Sequence, residues 1–398
     1  MTWNALLKRR TILGGLPALA LAASAGGARA EAWTSGPITL GLIAPLSEPG
    51  DARSGQAIRQ TAELWVKTIN GAGGISGRKV ELAIYDDAGK VEVGAQGAER
   101  AITEKHASAL LGMWSSSVTL AEMDIAKRYN VPMMAFYSWS DEVTGKNYPQ
   151  VFRIGPYNSK IAEQMSEFVK KRGYKNVVML AEDTAYGLGF AKSFVAAAKA
   201  LPGVRIETVQ FQAQTQDLTP VMSRIAASAP DAVIVQTVFA ATNLSIKQGR
   251  EVGLQSDIVA GWDWPTLADF WQTVGEAGVG VIYPTFNEPS LKRSAVGNEF
   301  VSSYKASTGA EPAIFQYYLW DNFNAIKAAI EKAGTAEPAK LVEMLPSVDF
   351  EGTIGRIMFK HEKDTVNFNQ WDELAMFFKQ LSKVGDGDKP AWACWRRR

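Results

Sequence analysis

Gly112-Met113-Trp114-Ser115-Ser116-Ser117-Val118-Thr119 separates an apolar run, Ala109-Leu110-Leu111, from an amphipathic one, Val118 to Tyr129. Three consecutive serines suit neither a core strand nor a helix interior, because their hydroxyls compete for backbone hydrogen bonds. They do suit the point where a strand hands over to a helix. A helix start offers N–H groups with no intrahelical partner and a partial positive charge. The cluster therefore reads either as an ordinary serine N-cap or as a seat for an anionic group.

The same handover recurs along the chain on both sides of this stretch. Residues 38–44 read as a buried strand, and Gln56 to Asn70 as a helix with Ile58, Ala62, Trp65 and Ile69 on one stripe. Strands at 80–85, 109–111 and 131–135 alternate with helices at 91–105 and 118–129. After a helix from Ser159, strands at 176–181, 204–210, 232–235 and 257–260 alternate with helices at 188–200 and 241–252. Another helix is expected to be capped near Asp217, with Pro220 in its first turn. Helices at 294–307, 317–332 and 338–345 then precede a β-rich end at 355–360 and 371–380.

Repeated β-α units predict an α/β fold of parallel sheets covered by helices on both faces. A chain of 398 residues is long enough for two lobes with separate cores. The expected first lobe holds residues 31–154 and 284–346. The second holds 155–283 and 347–385, with 386–398 as a tail. Pro and Gly at changes of pattern mark three candidate crossings: Phe152 to Pro156, Ile282-Tyr283-Pro284 and Phe350-Glu351-Gly352-Thr353.

Hydrophobic content of 46% and charged content of 21% describe an ordinary globular chain. A net charge of +1 with no basic stripe excludes a nucleic-acid partner. Residues 1–30 read as an export leader: Lys8-Arg9-Arg10, an apolar stretch from Ile12 to Ala25, then Ala28-Arg29-Ala30 as cleavage signal. Cleavage before Glu31 removes Lys8, Arg9, Arg10 and Arg29 and no acid, taking the net charge from +1 to −3. Arg9-Arg10-Thr11-Ile12-Leu13 is similar to a twin-arginine signal, but Lys8 and Ile12 depart from it, so Sec and Tat export both stay open. No later run is long and apolar enough for a spanning helix, so no stable membrane insertion is expected. The single cysteine, Cys394, cannot form an internal disulfide.

The run Ile38 to Ser47 resembles the opening strand of periplasmic solute-binding proteins of the leucine/isoleucine/valine-binding type. Ile69 to Arg78 followed by Tyr85-Asp86-Asp87, then Gly112 to Ser117, Phe152-Arg153, Asp183 to Gly187 and Tyr318 to Asp321, follow in the family's order. The resemblance spans about Ile38 to Lys379. It implies a type I periplasmic binding protein: two Rossmann-like lobes joined by a three-stranded hinge, a monomer that closes on a small solute. Its implied partner is an ABC importer's permease and ATPase.

The resemblance also implies roles. Ser115 takes the ligand's α-carboxylate, with Trp114 and Ser116 beside it. Tyr186 covers the ligand from the second lobe, and Asp263 meets its ammonium. From its own context, Asp263 also reads as a helix cap ahead of Pro265. Phe239 stands near a family tyrosine that contacts ligand. Phe136-Tyr137-Ser138-Trp139-Ser140 follows a strand, so it should face the same cleft. Tyr137 and Trp139 replace small residues and a threonine of the relatives. They either shape the pocket for a different ligand or turn into the lobe core.

Enzyme readings fail. There is no G-x-S-x-G nucleophile elbow. His106, His361 and one terminal cysteine cannot build a His-rich metal site. Asp86-Asp87 reads as turn chemistry. Gly71 to Gly77 follows a helix and has Ser76 where a dinucleotide fingerprint needs glycine. No catalytic residue, cofactor or metal is expected. Two functions remain open: a transport receptor for an amino acid or related carboxylate, and a sensor or auxiliary protein for an aromatic acid or other solute.

Overall fold

The structure, a computed structural model, describes residues 33–266, 270–286 and 293–393; the leader at 1–30 lies outside them. β1 (Ile38–Ala44) is apolar but for Thr39, and buried along nearly all its length. That suits a parallel strand covered on both faces. In α1 (Ala52–Gly71) the stripe Ile58, Ala62 and Trp65 is buried, and Asp51 caps the start by accepting from Ser54 N. The run continues through β2 (Val80–Asp86), α2 (Val91–Thr103), β3 (Ala109–Met113), α3 (Ser116–Tyr129), β4 (Met133–Ala135), α4 (Glu142–Gly145) and β5 (Val151–Arg153).

A second run comprises α5 (Asn158–Arg172), β6 (Asn176–Glu182), α6 (Ala185–Ala198), β7 (Arg205–Phe211), α7 (Thr219–Ala227), β8 (Ala232–Gln236), α8 (Phe239–Glu251), β9 (Asp257–Ala260), α9 (Phe270–Val274) and β10 (Ile282–Phe286). Then come α10 (Ala295–Thr308), α11 (Ile314–Ala333), α12 (Pro338–Met344), β11 (Asp349–Gly352), β12 (Gly355–Met358), β13 (Lys360–His361), β14 (Phe368–Gln370), β15 (Met376–Lys383) and β16 (Asp386–Ala393).

Among the described residues these strands form two seven-stranded sheets, ordered β13-β14-β5-β4-β3-β1-β2 and β16-β15-β10-β9-β8-β6-β7, plus the hairpin β11–β12. Pairing is parallel through the centre of both sheets and antiparallel at β13/β14, β10/β15 and β15/β16. Each sheet carries one lobe. α11 belongs to the first: Trp65 Nε1 donates to Asn324 Oδ1 at 2.9 Å, and its ring centre lies 4.9 Å from that of Phe323.

The chain passes between the sheets after β5, after β10 and between β14 and β15. This shifts three expected boundaries. Ile282-Tyr283-Pro284 lies inside β10 of the second sheet, so residues 284–286 leave the first lobe. Phe350 to Thr353 is no crossing, because Thr353 N and Oγ1 donate to Asp321 on α11. β13 and β14 join the first sheet, so 347–370 leaves the second lobe and only β15 and β16 remain there. Residues 386–393 are strand, not tail, paired antiparallel with β15. α7 starts near Asp217, with Pro220 in its first turn, as expected. Leu218 is its N-cap, and Asp217 stands one residue earlier, accepting from Thr219 N at 2.9 Å.

Gly112 sets the approach to the opening stretch. It has φ +100°, and a Cβ there would sit 2.4 Å from Ile43 O of β1. Only glycine fits so close to a neighbouring strand. β3 shifts register against β4 between Leu111 and Met113, which aims Trp114 and Ser115 out of the strand end.

Candidate ligand-binding site

β1 pairs with both β2 and β3, and β6 with both β7 and β8, so strand order reverses at β1/β3 and at β6/β8. Ligands of parallel α/β sheets sit beyond the carboxyl ends of strands at such switch points. Trp114 to Ser117 leave the first switch point, and Thr184 to Tyr186 the second. The two meet: Ala185 N donates to Ser117 Oγ at 3.3 Å. Ser193 Oγ donates to Asp141 Oδ2 at 3.1 Å, and Tyr137 Oη to Asp263 Oδ1 at 2.9 Å, both also between lobes.

Ser115 is the N-cap of α3, and its hydroxyl makes no capping bond. The first-turn amides of α3 are thus left uncapped by that side chain, as an anion site requires. The other serines have internal roles. Ser116 Oγ accepts from Ser140 N at 3.2 Å and from Ser138 Oγ at 3.5 Å. This ties the loop after β3 to the loop after β4.

Trp114 stacks on Tyr137, with ring centres 5.0 Å apart. Trp262 and Phe315 meet Trp114 edge-on at 6.2 and 5.2 Å. Trp139 packs edge-on against Tyr137 at 5.2 Å, Tyr186 at 5.4 Å and Phe286 at 5.3 Å. Tyr318 of α11 lies 6.4 Å from Tyr137. The rings of Tyr137 and Trp139 are buried, and what they are buried in is the seam between lobes. Trp264 belongs to the second lobe's core, its Nε1 donating to Asn243.

Asp263 is 5% exposed. Burial pushes its carboxyl up to about 6, against the pull of the Tyr137 hydrogen bond. It therefore remains mostly ionised at neutral pH, a carboxylate among aromatic rings that suits an ammonium. Asp51, beside Trp114, is pushed up to about 7 by burial, opposed chiefly by its bonds from Ser54. Phe239 opens α8, and its side chain lies outside the described residues. Asp86 accepts from Leu46 N and Ala88 N, and Asp87 from Gly89 N, which is turn chemistry. Among the described residues no group of three potential metal ligands occurs, and no helix is long and apolar enough to cross a membrane. A surface depression of about 390 Å³ lined by Pro230, Asp231, Ser256 and Asp257 lies at the opposite ends of β8 and β9, away from this cleft.

The structure thus brings Trp114, Ser115, Tyr137, Trp139, Tyr186 and Asp263 together. Sequence reasoning missed Phe286, Phe315 and Gln236, the last residue of β8. Phe315 and Tyr318 have helical i, i+3 spacing, which core residues share, so nothing marked them for the cleft.

The model of the Periplasmic binding protein family matches residues 37–374. The chain belongs to that family. It is a non-enzymatic solute-binding protein of the ABC-transporter class. Similar proteins include Leu/Ile/Val-binding protein homolog 3 of Brucella melitensis, 25% identical over 84% of this chain and 92% of that one. A leucine binding protein of Thermotoga maritima superposes with a TM-score of 0.79 at 23% identity, covering 88% of this chain and 97% of its own. An ABC-transporter solute binding protein of R. palustris in complex with benzoate gives 0.75 at 21%, covering 91% and 98%. The architecture is the two-lobed type I fold of these binding proteins.

Proposed function

We propose that this periplasmic binding protein captures a small amino acid with a bulky, largely planar side chain and delivers it to an ABC importer. Asp263 carries the reading: a buried carboxylate on the second lobe, reached through Tyr137 and Trp114 from the uncapped start of α3 on the first. The α3 amides and Ser115 take the ligand carboxylate, Asp263 takes its ammonium, and the rings of Trp114, Tyr137, Trp139 and Tyr186 enclose its body. The Leu/Ile/Val-binding homologue supports this class of solute. A second reading, a small aromatic acid bound by a sensor or auxiliary protein, is favoured by the Tyr137–Asp263 bond, which gives Asp263 a partner of its own. The relative crystallised with benzoate is consistent with it.

A calorimetric or tryptophan-fluorescence screen of amino acids, amides and aromatic acids separates the two. Ser115→Ala weakens the best ligand about 10-fold or more under either reading, the loss of one hydrogen bond to a charged group. Unchanged affinity in that variant removes Ser115 from the site. For export, intact-mass measurement of the periplasmic protein is expected to show a chain starting at Glu31; another start refutes cleavage after Ala30.

A further inference from the structure

Gln236 closes β8 opposite Ala181 of β6, at the switch point of the second sheet. It is fully buried, and neither its Oε1 nor its Nε2 has a hydrogen-bond partner. Trp139, 1% exposed, likewise has Nε1 unpaired. Both abut Tyr186. The Trp139 ring meets it edge-on, and the Gln236 amide faces its hydroxyl without closing a bond of good geometry. The fold makes room for this amide: a Cβ on Gly261 would lie 2.0 Å from Gln236 Oε1. A methionine or leucine would fill the same space with no polar atom to desolvate. A buried amide kept without a partner forfeits its full hydration, so packing alone does not account for it.

We propose that Gln236 and Trp139 form a third polar subsite of the cleft, one that hydrogen-bonds a hydroxyl at the far end of the ligand body. The indole N–H only donates, whereas the amide both donates and accepts. A hydroxyl satisfies them together, accepting from Trp139 Nε1 and donating to Gln236 Oε1. A wholly apolar end leaves the buried donors and acceptor unmatched. The inference rests on the ligand reading above and narrows it, to carboxylates whose ring or side chain ends in a hydroxyl.

The test titrates the mature protein calorimetrically with two matched pairs, tyrosine and phenylalanine, 4-hydroxybenzoate and benzoate, and with leucine. Gln236→Met and Trp139→Phe are titrated alongside, with thermal melts to show that each variant is folded. In the pair that binds, the hydroxylated member is expected to be preferred by roughly 100-fold or more, because a site built around a hydroxyl rejects the analogue lacking it. Gln236→Met should reduce the preference below about 10-fold by weakening only the hydroxylated member. Trp139→Phe should reduce it in the same direction, and carries the test alone if Gln236→Met does not fold. Equal affinities within a pair, a preference untouched in the folded variants, or leucine as best ligand overturns the subsite and leaves the carboxylate reading standing. Binding of none of these compounds, nor of any carboxylate in the wider screen, overturns both.

Discussion

Asp263→Asn is expected to weaken an amino-acid ligand by roughly 100-fold or more while leaving the fold intact. Removing one partner of a buried, hydrogen-bonded charge pair costs about 2–5 kcal/mol, and each factor of ten is about 1.4 kcal/mol. The unliganded variant should also melt higher. Asp263 has its carboxyl raised from 3.8 to about 6 by burial. A raised carboxyl costs stability above its unfolded value, because the fold disfavours the ionised form. That penalty sets in as pH rises from about 4 to about 6, and stays at neutral pH, at an order of 1–3 kcal/mol. Asparagine does not ionise and relieves it. An affinity loss combined with a higher melting temperature is what a functional carboxylate predicts; a purely structural cap, which asparagine fills about as well as aspartate, predicts no loss of affinity.

The pH dependence has a definite sign. An ammonium beside Asp263 favours the ionised carboxylate, so the complex binds fewer protons than the free protein. Affinity is then full at neutral pH and falls as pH drops through about 6. A ligand with a carboxylate alone favours protonated Asp263, so its affinity rises over the same window. Tyr137, Tyr186 and Tyr318 face Asp263, and burial pushes all three hydroxyls above their ordinary range, so none titrates there. Asp51, raised to about 7 beside Trp114, does titrate nearby. The component that disappears in Asp263→Asn is the one that belongs to Asp263. A profile identical in the variant sinks the amino-acid reading.

The parts of this fold that could be read in the sequence are those where burial leaves a pattern. Ala109 to Met113 is a continuous apolar run, and Ile38 to Ala44 is broken only by Thr39, because helices cover both faces of their sheet. Trp114 and the serines stood out because they interrupt such a run. β14 left no pattern. It is three residues long, Asn369 has a positive φ of 54°, and Gln370 is held by a polar bond to Arg153. Hydrophobic periodicity cannot detect a strand recruited by a buried arginine, so residues 360–370 went to the wrong lobe. Gln236 was hidden in a different way. It ends the apolar run Ala232 to Val235, where a polar residue reads as the strand's exit to solvent. Its neighbours Tyr186 and Gly261 are brought to it by other β-α units of the second lobe, which no local pattern records.

Arg153→Met is expected to lower stability by about 3–5 kcal/mol, the cost of leaving several buried acceptors without their donor at about 1–3 kcal/mol each. Arg153 ends β5 where the chain leaves the first lobe, and it is fully buried. Burial lowers its guanidinium to about 10, so it is still charged at neutral pH. Its Nε donates to Gln370 Oε1 at 2.6 Å, its Nη1 to Ser138 O at 3.0 Å and Ser140 O at 2.8 Å, and its Nη2 to Thr144 Oγ1 at 3.1 Å. Gln370 in turn donates from Nε2 to Gly155 O. One side chain thus joins the loop carrying Tyr137 and Trp139, the strand β14 and the first and third inter-lobe passages, which begin at β5 and β14. Methionine fills much of the volume but leaves two carbonyls and an amide oxygen buried without donors. The melting temperature should fall by roughly 5–10 °C. Arg153→Lys should not restore it, because a single ammonium cannot present the planar fork that reaches four acceptors at once. Ligand affinity at a temperature where the variant is folded should also drop, since the backbone of Ser138 to Ser140 positions Trp139 and the Ser116 bond. A melting temperature within about 1 °C of the parent protein would show that the acceptors find water or new partners, and that the arginine is not what holds the hinge to the cleft.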